Sequence, residues 1–81
     1  MTYGFANNRT GIGLYNDADY NKVIGNFCYN NTNPNSGQYG MGIWIAPDGD
    51  YNLIAGNNCL YNDINIEDRG TNNDLVGNNG P

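Results

Sequence analysis

Asp17 and Asp19 recur 31 residues later as Asp48 and Asp50, each pair in the turn that precedes an Asn, Asn21 in one case and Asn52 in the other. Four carboxylates on one edge repel unless they splay into solvent, gain a proton or share a cation. Calcium is the hard partner that such an oxygen cluster suits, with turn carbonyls completing the shell; solvated turn aspartates on a wet edge are the alternative reading. Arg69, expected at the third equivalent of Asp17 and Asp48, offers neutralisation without a metal. Carboxyls about 5 to 9 Å apart also suit glycoside hydrolysis, but stacking produces that separation in any Asp-rich repeat, so no catalytic residue is assigned.

A second constellation is aromatic. In Gly42-Ile43-Trp44-Ile45 the alternation sends Ile43 and Ile45 inward and Trp44 outward, into an expected column of Gly13, Trp44 and Asn65. The next outward column is expected to hold Tyr15, Ala46 and Glu67. A flat indole flanked by Tyr15, Asn65 and Glu67, with Tyr39 nearby, makes a shallow platform on which a sugar ring stacks its C–H face while amides and carboxylates bond its hydroxyls. The competing arrangement is that the loop carrying Tyr39, or another subunit, folds over Trp44 and hides it.

The elements that position these groups are written three times along the chain. Gly11-Ile12-Gly13-Leu14 is followed by Asn21-Lys22-Val23 and Gly25-Asn26; Gly42-Ile43-Trp44-Ile45 by Asn52-Leu53-Ile54 and Gly56-Asn57; Ile64-Asn65-Ile66 by Asn73-Asp74-Leu75 and Gly77-Asn78. The period is 21 residues from Ile43 to Ile64 and 31 from Ile12 to Ile43, so one repeat carries a ten-residue, turn-rich insertion at 31–40. Apolar residues alternate in short pairs, which is strand periodicity, and Gly and Asn punctuate them. A fixed repeat of this size marks a solenoid, here a parallel β-helix of about three coils.

Stacked coils give columns at the strand spacing of roughly 4.8 Å. Three inward columns are expected: Ile12/Ile43/Ile64, Leu14/Ile45/Ile66 and Val23/Ile54/Leu75. Asn21/Asn52/Asn73 and Asn26/Asn57/Asn78 are expected to form ladders in which each side-chain amide bonds its neighbours above and below. Cys28 and Cys59 fall at equivalent positions and should be stacked, either as buried thiols or as a bridge.

The pattern of Gly42-Ile43-Trp44-Ile45, a turn, Asn52-Leu53-Ile54-Ala55-Gly56-Asn57 and a closing Ile66-Glu67-Asp68-Arg69-Gly70-Thr71-Asn72-Asn73 resembles the right-handed parallel β-helix repeats of the pectate-lyase-like superfamily. It is similar also to periplasmic copper-binding-type, surface-protein and phage-tailspike repeats. The resemblance covers Gly11 to Asn79 and implies a right-handed fold and an extracellular or cell-surface setting. It leaves activity open, because such folds host lyases, hydrolases, adhesins and inert stalks.

Composition narrows the functions further. Three cations against eight acids give a net charge of −5, with no His. That makes a poor nucleic-acid or anionic-membrane binder, and the absence of His removes His-based metal sites and His-dependent triads. No apolar run is long enough for a membrane span. The expected organisation is a single module over 1–81: a partial leading coil at 1–10, coil 1 at 11–40 with its loop at 31–40, coil 2 at 41–62 and coil 3 at 63–81. Neither end shows a capping helix, so the ends are expected to stack on further coils or on copies of the chain. Asn8-Arg9-Thr10 and Asn30-Asn31-Thr32 are acceptor sequons of small weight in so Asn-rich a repeat. The expected function is polysaccharide or surface-glycan recognition within a larger assembly, without a resident cofactor. Its rivals are a self-stacking stalk unit and a fragment of a polysaccharide lyase or hydrolase.

Overall fold

The computed structural model describes residues 3–4, 10–33 and 39–79. Nine short strands follow one another: β1 (Tyr3–Gly4), β2 (Thr10–Leu14), β3 (Lys22–Ile24), β4 (Phe27–Tyr29), β5 (Met41–Ile45), β6 (Leu53–Ala55), β7 (Asn58–Leu60), β8 (Ile64–Asp68) and β9 (Asp74–Val76). They form three parallel three-stranded sheets in the orders β1-β4-β7, β2-β5-β8 and β3-β6-β9, and there is no helix among the described residues. Every pairing joins strands of successive repeats, so the chain is all-β and its arrangement is compatible with a parallel β-helix.

Alternation decides what lies inside. Ile43, Ile45, Ile54, Cys28 and Cys59 are fully buried, Val23 is nearly so, and Ile12, Leu14 and Ile66 pack against them. Each fully buried Ile contributes roughly 1.5–3 kcal/mol. The middle repeat thus supplies most of the core, as expected for a short stack whose outer repeats have a neighbour on one side only.

The third repeat departs from the expected columns. Ile43 pairs with Ile66, Met41 with Ile64, Trp44 with Glu67 and Ile45 with Asp68, an offset of 23 residues, whereas β6 and β9 keep 21. The cause lies at the preceding corner. β8 starts two residues after Asn62, so Ile64 aligns with Met41 at the start of β5, and the turn from Asp68 to Asp74 is correspondingly two residues shorter than that from Ile45 to Leu53. A shift of two leaves every side chain on its expected face, so the hydrophobic pattern tolerates either register. Arg69 consequently continues the column of Tyr15 and Ala46, its N–H bonding the Ile45 carbonyl as Ala46 bonds that of Leu14, and does not lie beneath Asp48.

Asparagine ladders hold the corners. Asn52 Oδ1 accepts the Asn21 N–H (2.8 Å), while its Nδ2 donates to the Ala18 carbonyl (2.8 Å) and to Asn73 Oδ1 (3.0 Å). Asn57 repeats this with Asn26, Val23 and Asn78. A third ladder, absent from the sequence reading, joins Asn31 to Asn62, whose Nδ2 reaches the Cys28 carbonyl. Each rung therefore caps an N–H and a carbonyl of the repeat before it and passes its remaining proton to the rung after it. No buried side-chain nitrogen or oxygen among the described residues lacks a partner. Gly25, Gly56 and Gly77 stack at one corner with φ of 67°, 63° and 64°, a left-handed conformation that glycine adopts without Cβ strain.

At the last described repeat two ladders end on acceptors from the same repeat. Asp68 Oδ1 takes the Asn73 amide at 2.8 Å and Asn65 Oδ1 the Asn62 amide at 2.9 Å. Tyr3 and Gly4 pair with Phe27 and Cys28, in keeping with a strand of a leading repeat. The expectations for Met1 and Thr2, for Phe5 to Arg9 with the first sequon, and for loop residues 34–38 lie outside the described residues.

Candidate functional site

On the outer face of β2-β5-β8 the column reads Gly13, Trp44, Glu67. Tyr15 folds back along its own strand: a Cβ at Gly13 would overlap the Tyr15 ring, so glycine opens the space the phenol fills. Tyr15 and Trp44 meet with centroids 4.9 Å apart and planes tilted by 39°, Tyr15 exposed and Trp44 half-buried. Below Trp44, Glu67 Oε2 accepts from Arg69 Nε at 2.7 Å. Arg69 is 63% exposed, so the pair adds little stability, but it orients a carboxylate and a guanidinium beside the indole. An aromatic step thus lies next to groups that accept and donate hydrogen bonds.

The structure brings together Tyr15, Trp44 and Glu67 of the sequence-predicted set and separates the other two. Asn65 is spent on the third ladder, where its Oδ1 accepts the Asn62 N–H and amide, and does not lie beneath Trp44. Tyr39 stands exposed at the end of the loop, and no ring contact joins it to Trp44. The loop base is pinned from elsewhere. Asp63 Oδ2 accepts the Gly40 N–H (2.7 Å) and the Asn33 N–H (2.8 Å), joining Asn33 and Gly40 through one carboxylate. Those two N–H groups, Gly40's first, hold the Asp63 carboxyl below its ordinary range. The staple is therefore in place at neutral pH and its contribution is lost only as acid takes the pH down through that lowered value.

The four aspartates do share one edge, but three are occupied by backbone. Asp48 Oδ2 accepts the Asp17 N–H (3.1 Å), Asp19 Oδ1 the Asp50 N–H (2.9 Å) and Asp50 Oδ1 the Thr71 N–H (2.9 Å). Each carboxylate so engaged is stabilised by a donor from the adjacent repeat. No group of three or more His, Cys, Asp or Glu side chains among the described residues is placed to hold a metal. If these side chains share calcium, the melting temperature rises with calcium and falls with a chelator; a curve indifferent to both returns them to solvated turn aspartates.

Cys28 and Cys59 are in register and buried as free thiols. A hydrogen bond with Cys28, reinforced by burial, pushes the Cys59 thiol far above its ordinary range, so Cys59 does not serve as a thiolate nucleophile at neutral pH. No helix among the described residues is long and apolar enough to cross a membrane.

Among the described residues, fold and site define an all-β protein of three parallel sheets with an aromatic and ionic face at Tyr15, Trp44, Glu67 and Arg69. No family model, curated protein or solved structure matches this chain.

Proposed function

We propose that the chain is a short right-handed parallel β-helix module, of the pectate-lyase-like kind its repeats resemble, that recognises a polysaccharide or surface glycan as part of an extracellular or cell-surface assembly. The observation that carries this reading is the Tyr15–Trp44 step over Gly13 with Glu67 and Arg69 alongside. Aromatic planes bind the C–H faces of sugars, and the neighbouring charged groups bond hydroxyls. The Cys59 thiol is held protonated, and Asp19, Asp48 and Asp50 each accept a backbone N–H, which supports binding over catalysis at these groups.

Self-stacking is the second reading, and one observation favours it. Lys22, Leu53 and Asp74 form one column, so a copy stacked in register beneath β9 would bring its Lys22 to Asp74, next to the exposed Leu75 and Val76. Against it, Asn65 and Asp68 already take the amides such a copy would meet at two corners.

A glycan-array screen of the parent chain and Trp44→Ala, with mass determined by light scattering, separates the two. Recognition predicts at least a tenfold loss of glycan binding in Trp44→Ala with the fold retained. Equal binding by both proteins contradicts it, and concentration-dependent oligomers without glycan affinity favour self-stacking.

A further inference from the structure

Among the described residues, seven other than glycine have φ near +60°, and three of them are tyrosines: Tyr20 (59°), Tyr51 (60°) and Tyr61 (59°). Glycine and asparagine adopt this conformation readily, and a bulky side chain adopts it at a cost. The chain uses the cheaper residue at equivalent positions. Tyr51 bonds the Thr71 carbonyl as Tyr20 bonds that of Asp50, which aligns Asn72 with both tyrosines, and Asn72 has the same φ of 59°. The strained residues are also not buried for their packing: Tyr20 is 77% exposed, Tyr51 53%. Their rings lie parallel, 5.3 Å between centroids and 6° between planes, one ring per repeat. Strain retained at an exposed position, where a neighbouring repeat shows the unstrained choice, points to function.

We infer that Tyr20 and Tyr51 form a second sugar-stacking subsite, and that it takes a polysaccharide bearing no anionic groups. The inference rests on the glycan reading above and extends the same site. In repeats 1 and 2 the turns 16–19 and 47–50 connect the strand bearing the Tyr15–Trp44 face to the tyrosine corner, and they carry Asp17, Asp19, Asp48 and Asp50. A polymer passing from one aromatic step to the other crosses that acidic edge. In a chain of net charge −5, uronate, sulfate or phosphate groups would be repelled there, whereas neutral hexose or amino-sugar units are not. The aspartates' exposed oxygens are acceptors for the hydroxyl or ammonium donors of such units.

The test is the double variant Tyr20→Asn, Tyr51→Asn, which installs the residue that Asn72 already demonstrates at this corner. Binding to neutral and amino-sugar oligosaccharides of increasing length, and to a uronic-acid polymer, is measured for the parent, the double variant and Trp44→Ala, together with thermal melts. The expected result is a melting temperature at or above the parent's, with at least a tenfold loss of affinity for longer neutral or amino-sugar chains and little change for the shortest. No variant should gain from uronate. Retained affinity in the double variant while Trp44→Ala loses it overturns the tyrosine subsite and leaves the Trp44 face standing. Tighter binding of the uronic-acid polymer by the parent overturns the ligand class. Loss of melting temperature with unchanged affinity assigns the tyrosines to stability, and no glycan binding by the parent overturns both readings together.

Discussion

Replacing Ile43 by Asp is expected to abolish folding. Ile43 is fully buried between Ile12 and Ile66 in the pairing of β2, β5 and β8, so the carboxylate would have neither water nor a cation. An unpaired buried charge costs several kcal/mol even after it takes up a proton. At about 0.05–0.15 kcal/mol per residue, a chain of this size has a total stability of only roughly 4–12 kcal/mol. The same substitution at Ile24, which is 52% exposed on β3, should change stability by about 0.5 kcal/mol or less. Circular dichroism with urea titration distinguishes them. Equal damage at both positions would show that the inward and outward faces are misassigned.

The second large effect is expected at Asn57. Its side chain is 1% exposed and makes four hydrogen bonds, accepting from the Asn26 N–H and Nδ2 and donating to the Val23 carbonyl and Asn78 Oδ1. Asn57→Ala leaves the Asn26 N–H and the Val23 carbonyl without these partners. Buried groups that lose their partner in this way cost about 1–3 kcal/mol each, so a loss of about 2–6 kcal/mol is expected. Asn58, the next residue, is exposed, and among the described residues its side chain bonds only the amide of Asn79. Asn58→Ala should therefore cost about 0.5 kcal/mol or less. A urea titration that ranks Asn58→Ala as the more damaging of the two would remove the ladders from the account of stability.

These two residues also show what the sequence made legible. Ile43 and Asn57 are placed by a spacing that recurs along the chain, and fixed spacing in parallel strands translates directly into columns. The register of β8 was not legible for a physical reason. Strand faces repeat every two residues, so Ile64 and Ile66 fit beneath Ile43 and Ile45 or beneath Met41 and Ile43 equally well by hydrophobicity. The choice is made by the short corner after Asn62. That choice moved Glu67 beneath Trp44, took Asn65 out of the site and carried Arg69 away from the aspartates. The Asn31–Asn62 ladder had a signal in the same 31-residue offset, but its third rung is Asn65 of the same repeat, which breaks the periodicity.

Side-chain direction was the other hidden quantity. Alternation places Gly13 outward and open; it does not show that Tyr15, two residues on, folds back over it to meet Trp44. Tyr20 and Tyr51 carry no sequence signal for their left-handed backbone, because tyrosine is not a turn residue. Asp63 gave no repeat signal at all, since it acts once, at the base of the one insertion.

Trp44 is the only tryptophan in the chain, so its fluorescence reports directly on the face at the centre of the functional account. Titration with a neutral or amino-sugar oligosaccharide should shift and saturate the emission of the parent protein, and Gly13→Val, which displaces Tyr15 without touching the core, should weaken that response at least several-fold. Emission unchanged up to millimolar oligosaccharide, in a protein that is folded by circular dichroism, would contradict a sugar-binding role for this face.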